Sequence, residues 1–369
     1  MFFSEFQIKS TFSKLSKLAN NKTRRMRKII IIFSSILLCL LTNAQNKEIT
    51  LEDIYKNYNL YPKSYQGLKS MNNGEFYTQM KRTEDDQEII KYSFKNGDRI
   101  TRLFKSSDFK IERINSYSFS DNDKLMILAT ETESIYRYSK KAIYYVFNIQ
   151  NNKLKKISDK KIRYPTLCPK SENIAFVYNN NLYIKNLLNG KETQITFDGK
   201  KNHIINGASD WVYEEEFQLV KGFEWSSDGE IIAYYKFDES HVKEFSMDKF
   251  NGNLYPTQEV FKYPKAGEAN STVNIYLYNL NKKEKSLIYT EEDYEYIPRI
   301  KWSKDPNILT MIGLNRHQNK LDFITVNAQD ASNNILFSEQ DKYYIDINDN
   351  LTFLPNNFFI WTSEKKGYN

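Results

Sequence analysis

The sequence predicts an all-β chain: a β-propeller that stops in mid-blade and is preceded by a signal peptide. Three observations carry this. Short runs of alternating apolar residues recur along the body of the chain, as in "KLMILAT", "NIAFVY", "EIIAYYKF" and "ILTMIGL". Turn compositions such as "SDND", "NNN", "LNG" and "SSDG" separate them. One turn–strand phrase also returns at blade-like spacing. Alternation rich in β-branched and aromatic residues reads as half-buried strand, and polar Asn/Asp/Ser/Gly clusters read as turns.

The N-terminal segment stands apart. "RRMRK" (24–28) precedes "IIIIFSSILLCLL" and then "TNAQ". That is a basic region, an apolar region and small residues before a cut after Ala44. The apolar run of 13 residues is short for a bilayer span. Residues 1–44 are therefore expected to be a signal peptide, with Met26 as an alternative start, and the product to be exported to the periplasm or the extracellular space. An uncleaved membrane anchor is the competing reading. Lipidation of Cys39 is disfavoured, because "ILL" before it lacks the expected small residue.

Removing that segment changes the electrostatics. It holds eight of the 53 Lys and Arg and one of the 46 Asp and Glu, so residues 45–369 carry 45 of each sign. The formal charge of +7 belongs to the leader, and no nucleic-acid partner is expected. Cys168 is left as a lone thiol, and His203, His241 and His317 have no ligand spacing. No metal site and no cofactor are expected.

In the body, the repeated phrase begins at Tyr117 ("YSFSDNDKLMILAT"), Pro165 ("PTLCPKSENIAFVY"), Phe223 ("FEWSSDGEIIAYYKF"), Arg299 ("RIKWSKDPNILTMIG") and Leu351 ("LTFLPNNFFIWTSE"). The intervals are 48, 58, 76 and 52 residues, near one four-stranded blade each. A single blade cannot cover both its faces, so blades stack around an axis. An irregular β-sandwich is the alternative, and the recurrence favours the propeller. The wide interval after Phe223 holds "FDESHVKEFSMDKFNGNLYPTQEVFKYPKAGEANS", expected to be an insertion.

Within this body, residues 210–217 read "DWVYEEEF". Three adjacent carboxylates repel one another unless water screens them or a cation offsets them. A solvated acidic turn is the ordinary reading. The flanking Trp211, Tyr213 and Phe217 argue that the run is held against a packed surface.

"DWVYEEEF", followed by "WSSDGEIIAYYKFDES" and "YPKAGEANS", resembles the N-terminal propeller domain of the dipeptidyl peptidase IV family of serine exopeptidases, over most of residues 45–369. The resemblance implies that the second and third glutamates, Glu215 and Glu216, grip the free α-ammonium of a peptide substrate. Charge-assisted bonds from a compact ammonium to carboxylates are of the strong kind. A fixed clamp and a fixed nucleophile leave room for about two residues, roughly 7 Å of extended chain, so dipeptides are released. "IYRYSKKAIYYVFNI" resembles the family segment whose arginine contacts a substrate carbonyl, which implies that role for Arg137; a surface Arg between strands is the alternative. Asp210, Trp211 and Tyr213 are expected to position the acidic run through ordinary packing. Glu214 is expected to lie outside the clamp.

The family's nucleophile sits in a G-x-S-x-G elbow of a C-terminal α/β-hydrolase domain. The nearest match here, "GASDW" from Gly207, lacks the closing Gly. The chain is thus expected to carry recognition without the catalytic triad, as a truncated or split product. Its expected partners are peptides with a free N-terminus and the hydrolase domain, with a homodimer left open. A stand-alone, non-catalytic peptide-binding propeller is the alternative function.

Overall fold

The structure is a computed structural model that describes residues 22, 23, 25–33, 48–58, 60–62 and 67–368. The expected cut after Ala44 and Cys39 lie outside the described residues. Residues 22, 23 and 25–33 are helical. Among the described residues, no helix is long and apolar enough to cross a membrane. A five-residue helix, Leu51–Tyr55, starts with a capping box: Thr50 Oγ1 accepts the Asp53 N–H (3.1 Å), and Asp53 Oδ2 accepts the Thr50 N–H (3.3 Å).

All named strands lie between residues 68 and 360, in successive antiparallel sheets. The first comprises β1 (Leu68–Ser70), β2 (Phe76–Arg82), β3 (Gln87–Ser93) and β4 (Arg99–Lys105). The second comprises β5 (Ser116–Phe119), β6 (Leu125–Ser134), β7 (Lys140–Asn148) and β8 (Lys153–Lys156). The third has β9 (Arg163–Leu167), β10 (Asn173–Tyr178), β11 (Asn181–Asn186) and β12 (Glu192–Gln194). Each is a meander in which sequence neighbours pair.

The fourth sheet is more elaborate. It takes β13 (Ile204–Asn206), β14 (Phe223–Trp225) and β15 (Ile231–Asp238). A separate hairpin of β16 (Glu244–Lys249) and β17 (Thr257–Lys262) then intervenes. The sheet resumes with β18 (Thr272–Asn279) and β19 (Glu284–Leu287). The fifth is a meander of β20 (Tyr296–Trp302), β21 (Ile308–Leu314), β22 (Lys320–Asn327) and β23 (Asn333–Gln340), and a pair follows, β24 (Thr352–Phe353) with β25 (Phe359–Ile360).

The all-β class is as the sequence predicts. The phrases at Tyr117, Pro165, Phe223 and Arg299 fall in β5, β9, β14 and β20, and Leu351 directly precedes β24. The stretch read as an insertion contains the β16–β17 hairpin, which pairs outside the fourth sheet. The repeat reading missed the first sheet. Its fourth strand carries Arg99, Arg102 and Lys105 and is mostly exposed, so it lacks the apolar signal of the others.

The repeated Trp explains itself in contacts between sheets. Trp225 in β14 donates its indole N–H to the Thr166 carbonyl in β9 (3.1 Å), and Trp302 in β20 donates to the Glu224 carbonyl in β14 (3.1 Å). β14 is thereby tied to β9, and β20 to β14. Inner strands such as β10 and β15 are buried on both faces and read as continuous apolar runs instead of alternating ones. Gly229, in the "SSDG" turn, has φ +76°. A Cβ there would collide with the sulfur of Cys168, so packing as well as backbone conformation requires the glycine. Cys168 is a buried free thiol that fills this junction.

Candidate functional site

The acidic run is a seven-residue helix, Trp211–Phe217, with Asp210 as N-cap. Asp210 is 3% exposed. Its Oδ1 accepts the Tyr213 N–H (2.9 Å) and its Oδ2 accepts the Ser271 hydroxyl (2.6 Å). Burial pushes the Asp210 carboxyl up, and these two hydrogen bonds oppose that. The helix ends at Gln218, whose φ of +54° breaks the ladder.

One face of this helix is core. The ring of Tyr213 sits 4.8 Å from Phe237 and 5.2 Å from Phe217. Its hydroxyl accepts the Ile297 N–H (2.8 Å), tying the helix to β20. Tyr213→Phe keeps the ring but leaves that buried N–H without an acceptor. The expected loss is about 1–3 kcal/mol of stability, read as a lower denaturation midpoint at unchanged m-value. An unchanged midpoint would show the bond to be replaceable.

Trp211 faces a different neighbour. Its ring lies 4.3 Å from Tyr263 and 6.4 Å from Phe261, at the end of β17. Phe261 also lies 5.8 Å from Tyr136. The insertion hairpin thus buttresses both the acidic helix and the turn between β6 and β7.

That turn, residues 135–139, carries Arg137. It is closed by the Ile135 N–H on the Ser139 carbonyl (2.9 Å) and the Tyr136 N–H on the Ser139 hydroxyl (3.1 Å). Arg137 is 66% exposed and reaches Glu215, with Nε 2.9 Å from Oε2 and 3.1 Å from Oε1. Its Nη1 and Nη2 have no protein partner among the described residues. The hydrogen bond to Glu215, then the charge of Glu215, raise the guanidinium pKa, so Arg137 stays cationic.

The three glutamates have three environments. Glu214 is 1% exposed, and its Oε1 accepts the N–H groups of both Tyr138 (2.6 Å) and Ser139 (2.9 Å). Glu215 is 18% exposed and engaged by Arg137. Glu216 is exposed. Tyr296 and Tyr344 lie close enough to feel it. Burial is the main cause that raises both phenols, and the charge of Glu216 adds the least to each.

Sequence reasoning set Glu214 apart from Glu215 and Glu216 and gave it no partner; in the structure it joins two segments 76 residues apart. A signal for this was present. At helical spacing Glu214 shares a face with Asp210 and Phe217, both buried, and its two neighbours do not. Phe261, Tyr296 and Ser271 were also missed. They come from distant strands or loops and carry no local motif.

The arrangement has a definite charge balance. Glu215, Glu216 and Arg137 together leave one net negative charge on the accessible end of the helix. One monovalent cation with hydrogen-bond donors would neutralise it.

A family model for the dipeptidyl peptidase IV (DPP IV) N-terminal region matches residues 120–369. The chain belongs to the dipeptidyl peptidase IV family. Dipeptidyl peptidase 4 of Porphyromonas gingivalis is similar in structure, with a TM-score of 0.80 and 34% identity over 87% of this chain and 47% of that one. The inactive dipeptidyl peptidase 10 of Rattus norvegicus is 28% identical over 300 residues, 78% of this chain and 36% of that protein. Prolyl endopeptidase FAP of Homo sapiens is 30% identical over 195 residues, 52% of this chain and 26% of that protein. The chain thus spans less than half the length of each of these dipeptidyl peptidase family relatives.

Proposed function

We propose that this chain is the substrate-recognition β-propeller of an exported dipeptidyl peptidase IV-type serine peptidase, which removes dipeptides from peptides with a free N-terminus. Glu215 and Glu216 form the clamp for the α-ammonium. Arg137 supplies a guanidinium for the carbonyl that follows. The carrying observation is the pairing of Arg137 with Glu215 beside the exposed Glu216. Arg137 engages Glu215 through Nε, which leaves its two terminal nitrogens for a carbonyl oxygen. The successive antiparallel sheets, three of them tied in series by Trp225 and Trp302 through β9, β14 and β20, support the propeller. On this proposal the nucleophile comes from an α/β-hydrolase domain, since the sequence has no G-x-S-x-G elbow.

These 369 residues expressed alone are expected to release no product from a Gly-Pro amide and to take up no serine-directed fluorophosphonate. Measurable turnover or labelling of the purified chain would show a nucleophile within it and overturn this division of labour.

A second reading, a propeller that binds peptides without catalysis, draws support from the relative named as inactive. Joining the chain to a catalytic domain of the family separates the two. Dipeptide release favours the first reading, and binding without release favours the second.

A further inference from the structure

We infer that Glu214 is a positioning residue that delivers Arg137 to the ammonium clamp. The exposed Arg137 side chain has little packing to hold it, so its direction is set by the backbone of residues 135–139. Two consecutive N–H groups of that turn, from Tyr138 and Ser139, converge on the single Glu214 oxygen Oε1. Ser139 and Glu214 are both buried, at 3% and 1% exposed. Bonds from N–H groups to a carboxylate are charge-assisted, and breaking these two would leave the buried Ser139 N–H unpaired. The next residue of the helix, Glu215, then receives Arg137. Two adjacent glutamates therefore fix the turn twice, once through its backbone and once through its side chain.

This ordering has a consequence for binding. When a ligand ammonium competes for Glu215, the hold of Glu215 on Arg137 weakens. The backbone bonds to Glu214 remain, so Arg137 stays in reach of a ligand carbonyl. Without Glu214 the turn would have to be ordered at the moment of binding, which lowers affinity. Because one oxygen takes both bonds, a carboxamide oxygen at the same place can replace it. A shorter or apolar side chain cannot.

The test uses the chain itself, with amide hydrogen exchange resolved at residues 135–140 and titration with glycylprolinamide and its N-acetyl twin. The exchange arm concerns the turn alone; the titration arm rests on the function proposed above. Glu214→Leu should speed exchange of the Tyr138 and Ser139 amides by on the order of 10-fold or more, while amides of β15 stay protected. It should weaken glycylprolinamide binding by about the factor seen for Arg137→Ala. The double variant should bind no more weakly than Arg137→Ala alone, because both changes remove one interaction. Glu214→Gln should restore protection and affinity to within about threefold, since its Oε1 can accept both bonds. If Glu214→Leu fails to fold, Glu214→Asp, which keeps the charge and withdraws the oxygen by one methylene, carries the same expectation. Unchanged protection of the two amides in the folded Leu or Asp variant, or additive losses in the double variant, would overturn the inference. Equal wild-type affinity for the two probes would remove the ammonium function instead. Exchange alone then decides whether Glu214 holds the turn, and unchanged protection still refutes it.

Discussion

Glu216→Ala, in a polypeptide that joins this chain to a catalytic domain of the family, is expected to lower kcat/KM for a free-amine dipeptide amide by on the order of 10- to 200-fold. That range is the loss of one charge-assisted bond, about 1.5–3 kcal/mol. Misplacement of the scissile carbonyl adds to it, since the clamp also sets the register of the substrate. Glu215→Ala should cost at least as much, because it also releases Arg137. An N-acetylated substrate has no ammonium, so wild type should refuse it, and the alanine variants should discriminate less between the free and acetylated substrates. The ligand amine must be charged. Activity should therefore fall above roughly pH 8, since a free α-amine titrates near 7.7–8.0. Rates on the free and acetylated substrates, for wild type and both variants, check this. Undiminished turnover of the acetylated peptide would show that Glu215 and Glu216 are an ordinary acidic surface.

Glu239→Gln is expected to stabilise the chain above neutrality by on the order of 3 kcal/mol and to flatten its pH dependence. Glu239 is 6% exposed. Burial pushes its carboxyl up to about 7; the charge of Asp210 adds to the rise and Lys262 on β17 opposes it. In the unfolded chain a glutamate titrates near 4.3, so between roughly pH 4.3 and 7 the folded state holds the extra proton. The sign follows from linkage. Wherever the folded state binds more protons, stability falls as pH rises. The wild type should therefore lose stability from about pH 4.5 to about pH 7, with the penalty fully present above that. Asp210, also pushed up by burial, acts in the same direction. Denaturation midpoints of wild type and Glu239→Gln at pH 5 and pH 8 check this. A difference that is equal at both pH values would mean that Glu239 does not titrate in this window.

Much of the fold was legible because the β-strands repeat a local pattern. The phrase of an aromatic residue, a polar turn and an apolar strand recurs, and Trp225 and Trp302 mark equivalent places in it. The first sheet was not legible, because β4 presents charged residues and an exposed face. At the site, the aromatic residues flanking the glutamates signalled a held segment, and Asp210 and Tyr213 hold it. Glu214 was obscured by its own neighbours. In a run of three identical residues, composition cannot say which faces inward; the helical phase relative to Asp210 and Phe217 can. The meeting of Arg137 with Glu215, 78 residues apart, depends on the juxtaposition of β-sheets that no local window contains. The same holds for Phe261, which braces Trp211 and Tyr136 from an inserted hairpin.

The most direct measurement is a crystal structure of this chain with a free-amine dipeptide amide bound. The account predicts the α-ammonium nitrogen about 2.7–2.9 Å from carboxylate oxygens of both Glu215 and Glu216, with a terminal nitrogen of Arg137 on the ligand carbonyl. A ligand bound with its amine pointing away from these two carboxylates, or seated elsewhere on the chain, would contradict it.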